Sequence, residues 1–235
     1  GLKKFYNYQE QPDLYPDPDK FNDWHINSKR DGTLICLDYV NNTVSLRTRG
    51  TYDYKFQKNF KDFELLYTKY PKIIDFIKQH DNLTVLIEIC TPNNVIVIRP
   101  PEIEFYLLDI IDKDDYHYWP QEQVDLISVF HDIPRPRRYS FNNLTEMVES
   151  VKLWKGLEGV VLSYNNNQNK IKLKSDWYND LHRISSGLKS LDNVIDLFFS
   201  FDQPSYQDFY SKIQETLSFE IAEQLRGDIS KICDA

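Results

Sequence analysis

Lys29-Arg30-Asp31-Gly32-Thr33, set between Trp24-His25-Ile26 and Leu34-Ile35-Cys36-Leu37, is the stretch on which the reading of this 235-residue chain turns. The flanking runs read as strands, which puts Lys29 at a strand end. A lysine held there can attack phosphorus, provided its neighbours keep the amine unprotonated. Asp31 adds a carboxylate and Gly32 a sharp backbone turn beside it. Alone the signal is weak, because Lys-x-Asp-Gly arises by chance in about one chain in twenty of this length. Its weight comes from the pieces downstream of it and their order.

Ser45-Leu46-Arg47-Thr48-Arg49-Gly50 is the next piece. Residues two apart on a strand share a face, so Arg47 and Arg49 are expected to project together, about 6–7 Å apart. Leu86-Ile87-Glu88-Ile89-Cys90-Thr91-Pro92-Asn93-Asn94 then interrupts an apolar run with one carboxylate. An unpaired buried carboxylate costs several kcal/mol, and a polar ligand or a cation opposite Glu88 would remove that cost. Leu157-Glu158-Gly159-Val160-Val161-Leu162 repeats the pattern with Glu158. Finally, Lys170-Ile171-Lys172-Leu173-Lys174 alternates strictly, three ammonium groups on one face and two aliphatic side chains on the other, and runs straight into Ser175-Asp176-Trp177-Tyr178.

This ordered set resembles the covalent nucleotidyltransferase superfamily of polynucleotide ligases and RNA-capping enzymes, in which K-x-D-G carries the nucleotide-accepting lysine and the last motif is a K-x-K strand. Lys4-Phe5-Tyr6-Asn7, Lys29-Arg30-Asp31-Gly32-Thr33-Leu34, Glu88-Ile89-Cys90-Thr91-Pro92-Asn93 and Lys172-Leu173-Lys174-Ser175-Asp176-Trp177-Tyr178 resemble, more narrowly, the T-even phage RNA ligase 1 family. The likeness runs from about Lys3 to Leu181, and K-x-K-S-D-W-Y is its most family-specific part. It implies an ATP-dependent RNA ligase that seals 5′-phosphate and 3′-hydroxyl RNA ends, tRNA among them, in RNA repair. Lys29 would take AMP from ATP as a phosphoamide and release pyrophosphate. Magnesium or manganese would assist.

The same resemblance implies roles for single residues. Glu88 would contact the ribose hydroxyls, and Glu158 would hold the metal or orient the lysine. Asp31 would arrange nucleophile and metal, although a turn-forming Asp is the plainer account. Lys172 and Lys174 would offset triphosphate charge and, as neighbouring cations, depress the pKa of Lys29. Lys4, Asn7, Arg49 and Tyr178 would contact nucleotide or phosphate. Arg49 stands where the family usually carries lysine, which exchanges a point charge for a planar, bidentate donor. For Trp177 and Tyr178, packing at the core boundary competes with a site role. Arg135, Arg137 and Arg138 form a basic loop that either touches RNA or is simply solvated. The five histidines show no metal-ligand spacing.

The net charge of −8 does not exclude an RNA partner, because affinity follows local phosphate contacts rather than the sum. Acid is concentrated in Asp13–Asp23 and Asp112-Lys113-Asp114-Asp115, away from the cationic strands. Weak non-specific binding is expected, as suits an enzyme acting on a particular broken end. The three cysteines, Cys36, Cys90 and Cys233, form no C-x-x-C and read as reduced core thiols. No apolar run approaches 18 residues and no signal-like segment is visible, so no membrane partner is expected; the N-x-S/T sequons are read as accidental in an Asn-rich chain. A cytoplasmic protein, of the host cell if the source is viral, is the expectation.

The overall reading is an α+β fold: a core of twisted antiparallel sheets with flanking helices over residues 1–178, then a helical C-terminal segment over 179–235. Strands are expected near 33–39, 43–49, 83–90, 94–98 and 103–111, with a hairpin of 157–163 and 169–174 across an Asn-rich turn. Phe56, Phe60, Phe63 and Tyr67 recur at helical spacing as core residues, and further helices should follow Pro71, Gln121 and Asn143. A proline-punctuated loop covers Gln11 to Asp19, and Tyr206, Tyr210, Ile213, Leu217, Ile221 and Leu225 form an amphipathic stripe.

Two departures from the family stand out. A strand-bearing segment with a catalytic arginine usually precedes the K-F-F-N-like element, whereas here only Gly1-Leu2-Lys3 does, and the tail is shorter than the usual C-terminal domain. A shortened form, or a partner polypeptide supplying the rest, is the expectation. Lysine adenylylation should then be more robust than sealing of a structured RNA. The alternatives are a DNA ligase or capping-type nucleotidyltransferase, which share the nucleophile, and a non-catalytic RNA-end-binding module.

Overall fold

The computed structural model describes residues 3–11, 18–57 and 59–187. The Tyr206–Leu225 stripe and most of the Gln11–Asp19 loop lie outside the described residues. Within them, the chain builds two sheets. The first has the order β1-β9-β8-β2-β7, formed by β1 (Tyr6–Asn7), β2 (His25–Lys29), β7 (Arg138–Tyr139), β8 (Gly159–Tyr164) and β9 (Asn169–Lys174). The second has the order β4-β3-β5-β6, formed by β3 (Thr33–Val40), β4 (Thr43–Arg47), β5 (Leu83–Cys90) and β6 (Glu104–Asp112). Apart from the parallel β1–β9 pair, the named strand pairs run antiparallel.

Each sheet has its own core. Ile35, Leu37, Val85, Ile87, Leu107 and Ile110 of the second sheet pack against Phe63 and Leu66 of α1 (Phe60–Lys69), Ile73 and Ile77 of α2 (Pro71–Lys78) and Val124 of α3 (Gln121–Phe130). Ile26, Val160, Leu162 and Leu173 of the first sheet pack on Met147 and Val151 of α4 (Leu144–Lys152), closed by Phe21 and Trp24. A helix-covered face on each sheet leaves the other two faces to line a cleft.

Local chemistry accounts for the joints. Asn41 and Asn42 (φ 50° and 59°) turn β3 into β4, and Asn165, Asn166 and Asn167 (φ 52°, 50° and 67°) turn β8 into β9. Asparagine tolerates this left-handed backbone better than most residues, so the Asn-rich composition is hairpin chemistry. Pro71 opens α2, where its missing N–H is not needed. Asn143 caps α4 by accepting the Glu146 amide at 2.9 Å, while Glu146 reaches back to the Asn142 amide at 2.8 Å.

Three expectations are corrected. No strand forms over 94–98; the segment is irregular because the Val97 and Ile98 amides turn inward to the Asp31 carboxylate instead of pairing in a ladder. Phe56 sits in a short 3-10 turn and is 81% exposed, so it is not part of the α1 core stripe, whereas Phe60, Phe63 and Tyr67 are. The strand expected over 43–49 stops at Arg47, where Thr48 and Thr51 close a tight loop through a 3.0 Å backbone bond and a 2.8 Å hydroxyl contact.

Candidate active site

Register builds the centre of the site. Lys29, the last residue of β2, lies opposite Gly159 of β8, and Gly159 lies opposite Lys174 of β9. The two lysines therefore flank the start of β8, and Glu158 precedes it. Glu158 is 2% exposed and accepts from Lys29 Nζ at 2.8 Å and Lys174 Nζ at 3.1 Å, both on Oε1. Its second oxygen, Oε2, is buried without a hydrogen-bond partner. Gly159 has φ +146°, and a Cβ there would stand 2.0 Å from the Leu173 carbonyl oxygen. Only glycine lets β8 approach β9 this closely at the point where Glu158 must turn inward.

The next layer holds this pair in place. Asp31 takes Tyr178 Oη on Oδ1 at 2.7 Å and the Val97 and Ile98 amides on Oδ2 at 2.9 and 2.7 Å. Its carboxylate ties Tyr178 and the 97–98 segment to the Lys29 turn, a positioning contact. Gly32 is required by close approach rather than by a left-handed turn, since a Cβ would lie 2.3 Å from the Ile89 carbonyl oxygen. Ser175, fully buried, donates to the Leu157 carbonyl at 2.9 Å and caps α5 (Asp176–Gly187) by accepting the Tyr178 amide at 3.1 Å. Its own amide donates to the Glu158 carbonyl at 2.9 Å. The K-S-D-W-Y run is thus a strand, a cap and a helix start that deliver Lys174 and Tyr178 to one place. Lys174 Nζ lies 4.7 Å from the centre of the Tyr178 ring.

Between the sheets opens a cavity of about 530 Å³. Lys29, Lys172 and Val161 line it from one sheet, and Glu88, Arg47 and Leu34 from the other, with Arg49 and Lys4 also on its wall. The volume lies in the usual range for small-molecule sites. Arg47 and Arg49 both line the cavity, but not as the shared strand face expected, because β4 ends at Arg47. Arg47 is held by Asp38 at 2.8 Å. Asn7 is not in this cavity: its side chain donates to Glu10 at 2.8 Å and lines an adjoining recess of about 130 Å³. Phe5, which motif reading passed over, is the aromatic residue of that segment in the main cavity, its ring centre 5.5 Å from Lys172 Nζ.

Charge in the site departs from the expectation that cations depress Lys29. Burial does push its pKa down, but the Glu158, Glu88 and Asp31 carboxylates more than reverse this, and the pKa is raised. Lys29 is an ammonium clamped by carboxylate in the free protein. Burial pushes the Glu88 carboxyl up to about 8 against the pull of Lys29, so the cost expected of this lone carboxylate is real and only partly relieved. Lys172 is lowered, first by burial and then by Lys29 and Lys174.

The model of the RNA ligase family matches residues 1–178. The chain belongs to the RNA ligase family. Solved structures carry the same fold. An archaeal ATP-dependent RNA ligase is 14% identical with a TM-score of 0.65, the alignment covering 96% of this chain and 65% of that one. An RNA ligase of Naegleria gruberi with pyrophosphate is 18% identical with a TM-score of 0.54, covering 68% of this chain and 51% of the other. A K170A variant of that ligase, solved with ATP and Mn, gives 16% identity and a TM-score of 0.55 over 68% and 52%. The chain thus spans about two thirds of the archaeal protein and half of the Naegleria one.

Lys29, Glu88, Glu158, Lys172 and Lys174 lie within the span of the family match, and the fold brings Lys29 and Lys172 to one wall of the cleft, Glu88 to the other, and Glu158 with Lys174 to the edge beside Lys29. Motif reading missed a second polar layer. Lys170, 3.2 Å from Asp109, and Gln121, which donates to Asp109 at 3.0 Å and Asn167 at 2.9 Å, form a buried network at the far end of the cavity. Burial lowers the Lys170 pKa. Nothing local flags Asp109 or Gln121; Lys170 alone stood out through the lysine alternation.

Proposed function

We propose that this chain is an ATP-dependent RNA ligase that joins 5′-phosphate and 3′-hydroxyl RNA ends through an AMP carried on Lys29. The observation that carries the reading is the Lys29–Glu158–Lys174 constellation, 2.8 and 3.1 Å on one buried oxygen, at a cavity lined by Arg47, Arg49 and Lys172. After its ammonium gives up a proton to solvent water, Lys29 Nζ forms a bond to the α-phosphorus, the bond from that phosphorus to the bridging oxygen breaks, and pyrophosphate leaves with the electron pair. The arginines and Lys172 receive its charge. A second proton passes from nitrogen to water to leave the neutral phosphoamide. Glu88 faces the cavity as acceptor or, when protonated, donor for a ribose hydroxyl.

A divalent cation fits one part of this site. Glu158 Oε2 is buried and unpartnered, a hard oxygen ligand, and among the described residues no cluster of three His, Cys, Asp or Glu side chains forms a self-contained cage. One carboxylate plus substrate phosphates and water is the usual set for Mg²⁺ or Mn²⁺, and when bound the metal supplies charge neutralisation on the phosphates. Glu158 would hold such a cation through Oε2 while Oε1 faces Lys29 and Lys174. We extend the reading to broken cellular RNA, tRNA included, in the cytoplasm, with a partner polypeptide or further chain positioning structured ends.

Incubation with radiolabelled ATP and Mg²⁺ should give a covalent protein–AMP adduct that Lys29→Ala abolishes. No adduct with ATP, GTP or NAD would sink the enzymatic reading and leave the end-binding module. A guanylate adduct would favour a capping type, and sealing of DNA but not RNA ends a DNA ligase.

A further inference from the structure

At the β7 edge of the first sheet, on the face packed against α4 and not the face that lines the cleft, lies a surface the ligation chemistry does not use. Tyr139 of β7, Phe141 and Trp154 form a contiguous ring cluster, with centroids 4.7 Å apart for Tyr139–Trp154 and 6.4 Å for Phe141–Trp154. All three rings are half-buried, anchored on the α4 core and open on their outer side. Exposed cations surround them. The Arg137 guanidinium sits 5.0 Å from the Tyr139 ring centre, and Lys152 and Lys155 flank Trp154 in the chain. Arg137, Lys152 and Lys155 pair with no carboxylate among the described residues, while Asp125 is taken up by Arg135 and Arg138 at 3.0 and 2.8 Å.

This surface leads to Lys29 by two routes. The Arg137 carbonyl accepts the Ser28 amide at 2.7 Å, one residue from the nucleophile. Trp154-Lys155 continues into Gly156 and Leu157, which line a recess of about 140 Å³ together with Lys29, Glu158 and Arg30. The recess lies apart from Glu88, Arg47 and Lys172, which line the larger cavity.

We propose that this face binds single-stranded RNA, bases stacked on the Tyr139–Phe141–Trp154 rings and phosphates on Arg137 and Lys155, so that the strand runs toward Lys29. Stacking rings edged by unpaired cations are the combination that holds single strands without reading sequence. A peptide partner would leave the cations without phosphates to neutralise. The inference rests on the RNA ligase reading for its ligand but on separate residues.

The test titrates the full chain with a 3′-fluorescein-labelled 12-nucleotide oligoribonucleotide, following anisotropy at several salt concentrations. Arg137→Ala/Lys155→Ala should weaken binding about ten-fold and make the salt slope shallower by about 1.4, two single-strand phosphate contacts. Adenylylation by ATP and the melting temperature should stay at the parent level. Trp154→Phe, which keeps a ring for packing, should remove most of the tryptophan quenching seen on adding RNA. Unchanged affinity and slope in the double variant, or unchanged quenching in Trp154→Phe, overturns the proposal, as does the absence of RNA binding by the parent at low salt. If the parent binds RNA through these residues yet forms no lysine adduct, the ligase reading fails and this surface stands.

Discussion

On the proposed function Lys29 is the nucleophile, and the folded protein holds it as an unreactive ammonium. The carboxylates around it raise its pKa, so the ammonium must be released by charge brought in with the nucleotide. Glu158 is the first of those charges, and its neutral isostere tests its role. Glu158→Gln should lower adenylylation at least about 100-fold while leaving nucleotide binding largely intact, read by single-turnover labelling against equilibrium binding. Glu88 yields a pH signature. Its folded pKa of about 8 lies above the ordinary 4.5, so it stabilises the folded state fully below 4.5 and loses that contribution as pH rises toward 8. Glu88→Gln removes this dependence, and its melting temperature relative to the parent should climb from pH 5 to pH 8. A gap that is flat in pH would show that Glu88 titrates normally.

At the scale of elements, the site depends on strands that approach more closely than side chains permit. Gly159→Ala places a Cβ 2.0 Å from the Leu173 carbonyl oxygen at φ +146°, which should cost about 3 kcal/mol through overpacking and strain. Because β8 carries Glu158 at its start, adenylylation should fall by more than stability alone explains. Denaturant melts and adduct yield, measured below the melting transition, separate the two. The α5 cap behaves differently. Ser175→Ala removes a helix cap and the tie to Leu157, an expected loss of about 1–2 kcal/mol with chemistry retained where the protein is folded.

On the scale of the whole molecule, two separately packed sheets face each other across the cavity, and a nucleotide bound as proposed, touching both, should hold them together. ATP at about 100 times its Kd should raise stability by about 2.7 kcal/mol, visible as a concentration-dependent melting temperature, and a Lys29→Ala chain should retain much of that shift. The groups of the proposed transfer chemistry, Lys29, Glu88, Glu158, Lys172 and Lys174, all lie within the family-matched span, whereas placing a structured RNA end calls on further contacts. Adenylylation should therefore outlast sealing, and a linear oligonucleotide should be joined faster than a nicked stem-loop. Equal rates on the two RNAs would show that this chain suffices.

Sequence alone sufficed for most of the elements and for the charged residues that meet around the cleft. Alternation and helical spacing placed β5, β9, α1 and α2, because burial of one face imposes a period that can be read locally. Glu88 and Glu158 were legible because a charge in an apolar strand needs a partner whatever the fold, and Lys29 because K-x-D-G heads an ordered set of motifs. Local reading failed where the answer depended on what stands opposite. The 94–98 segment has strand-like residues, yet its amides go to Asp31, 66 and 67 positions away. Asp31 was read as arranging nucleophile and metal or as a turn-former, and its bond from the Tyr178 hydroxyl, 147 residues on, was not visible locally. The sign of the Lys29 shift was beyond the motifs too, since lysines at 172 and 174 suggested a lowered pKa and three carboxylates raise it. Electrostatic energy depends on distance and burial, and only the packed sheets set how near Glu158 stands to each cation.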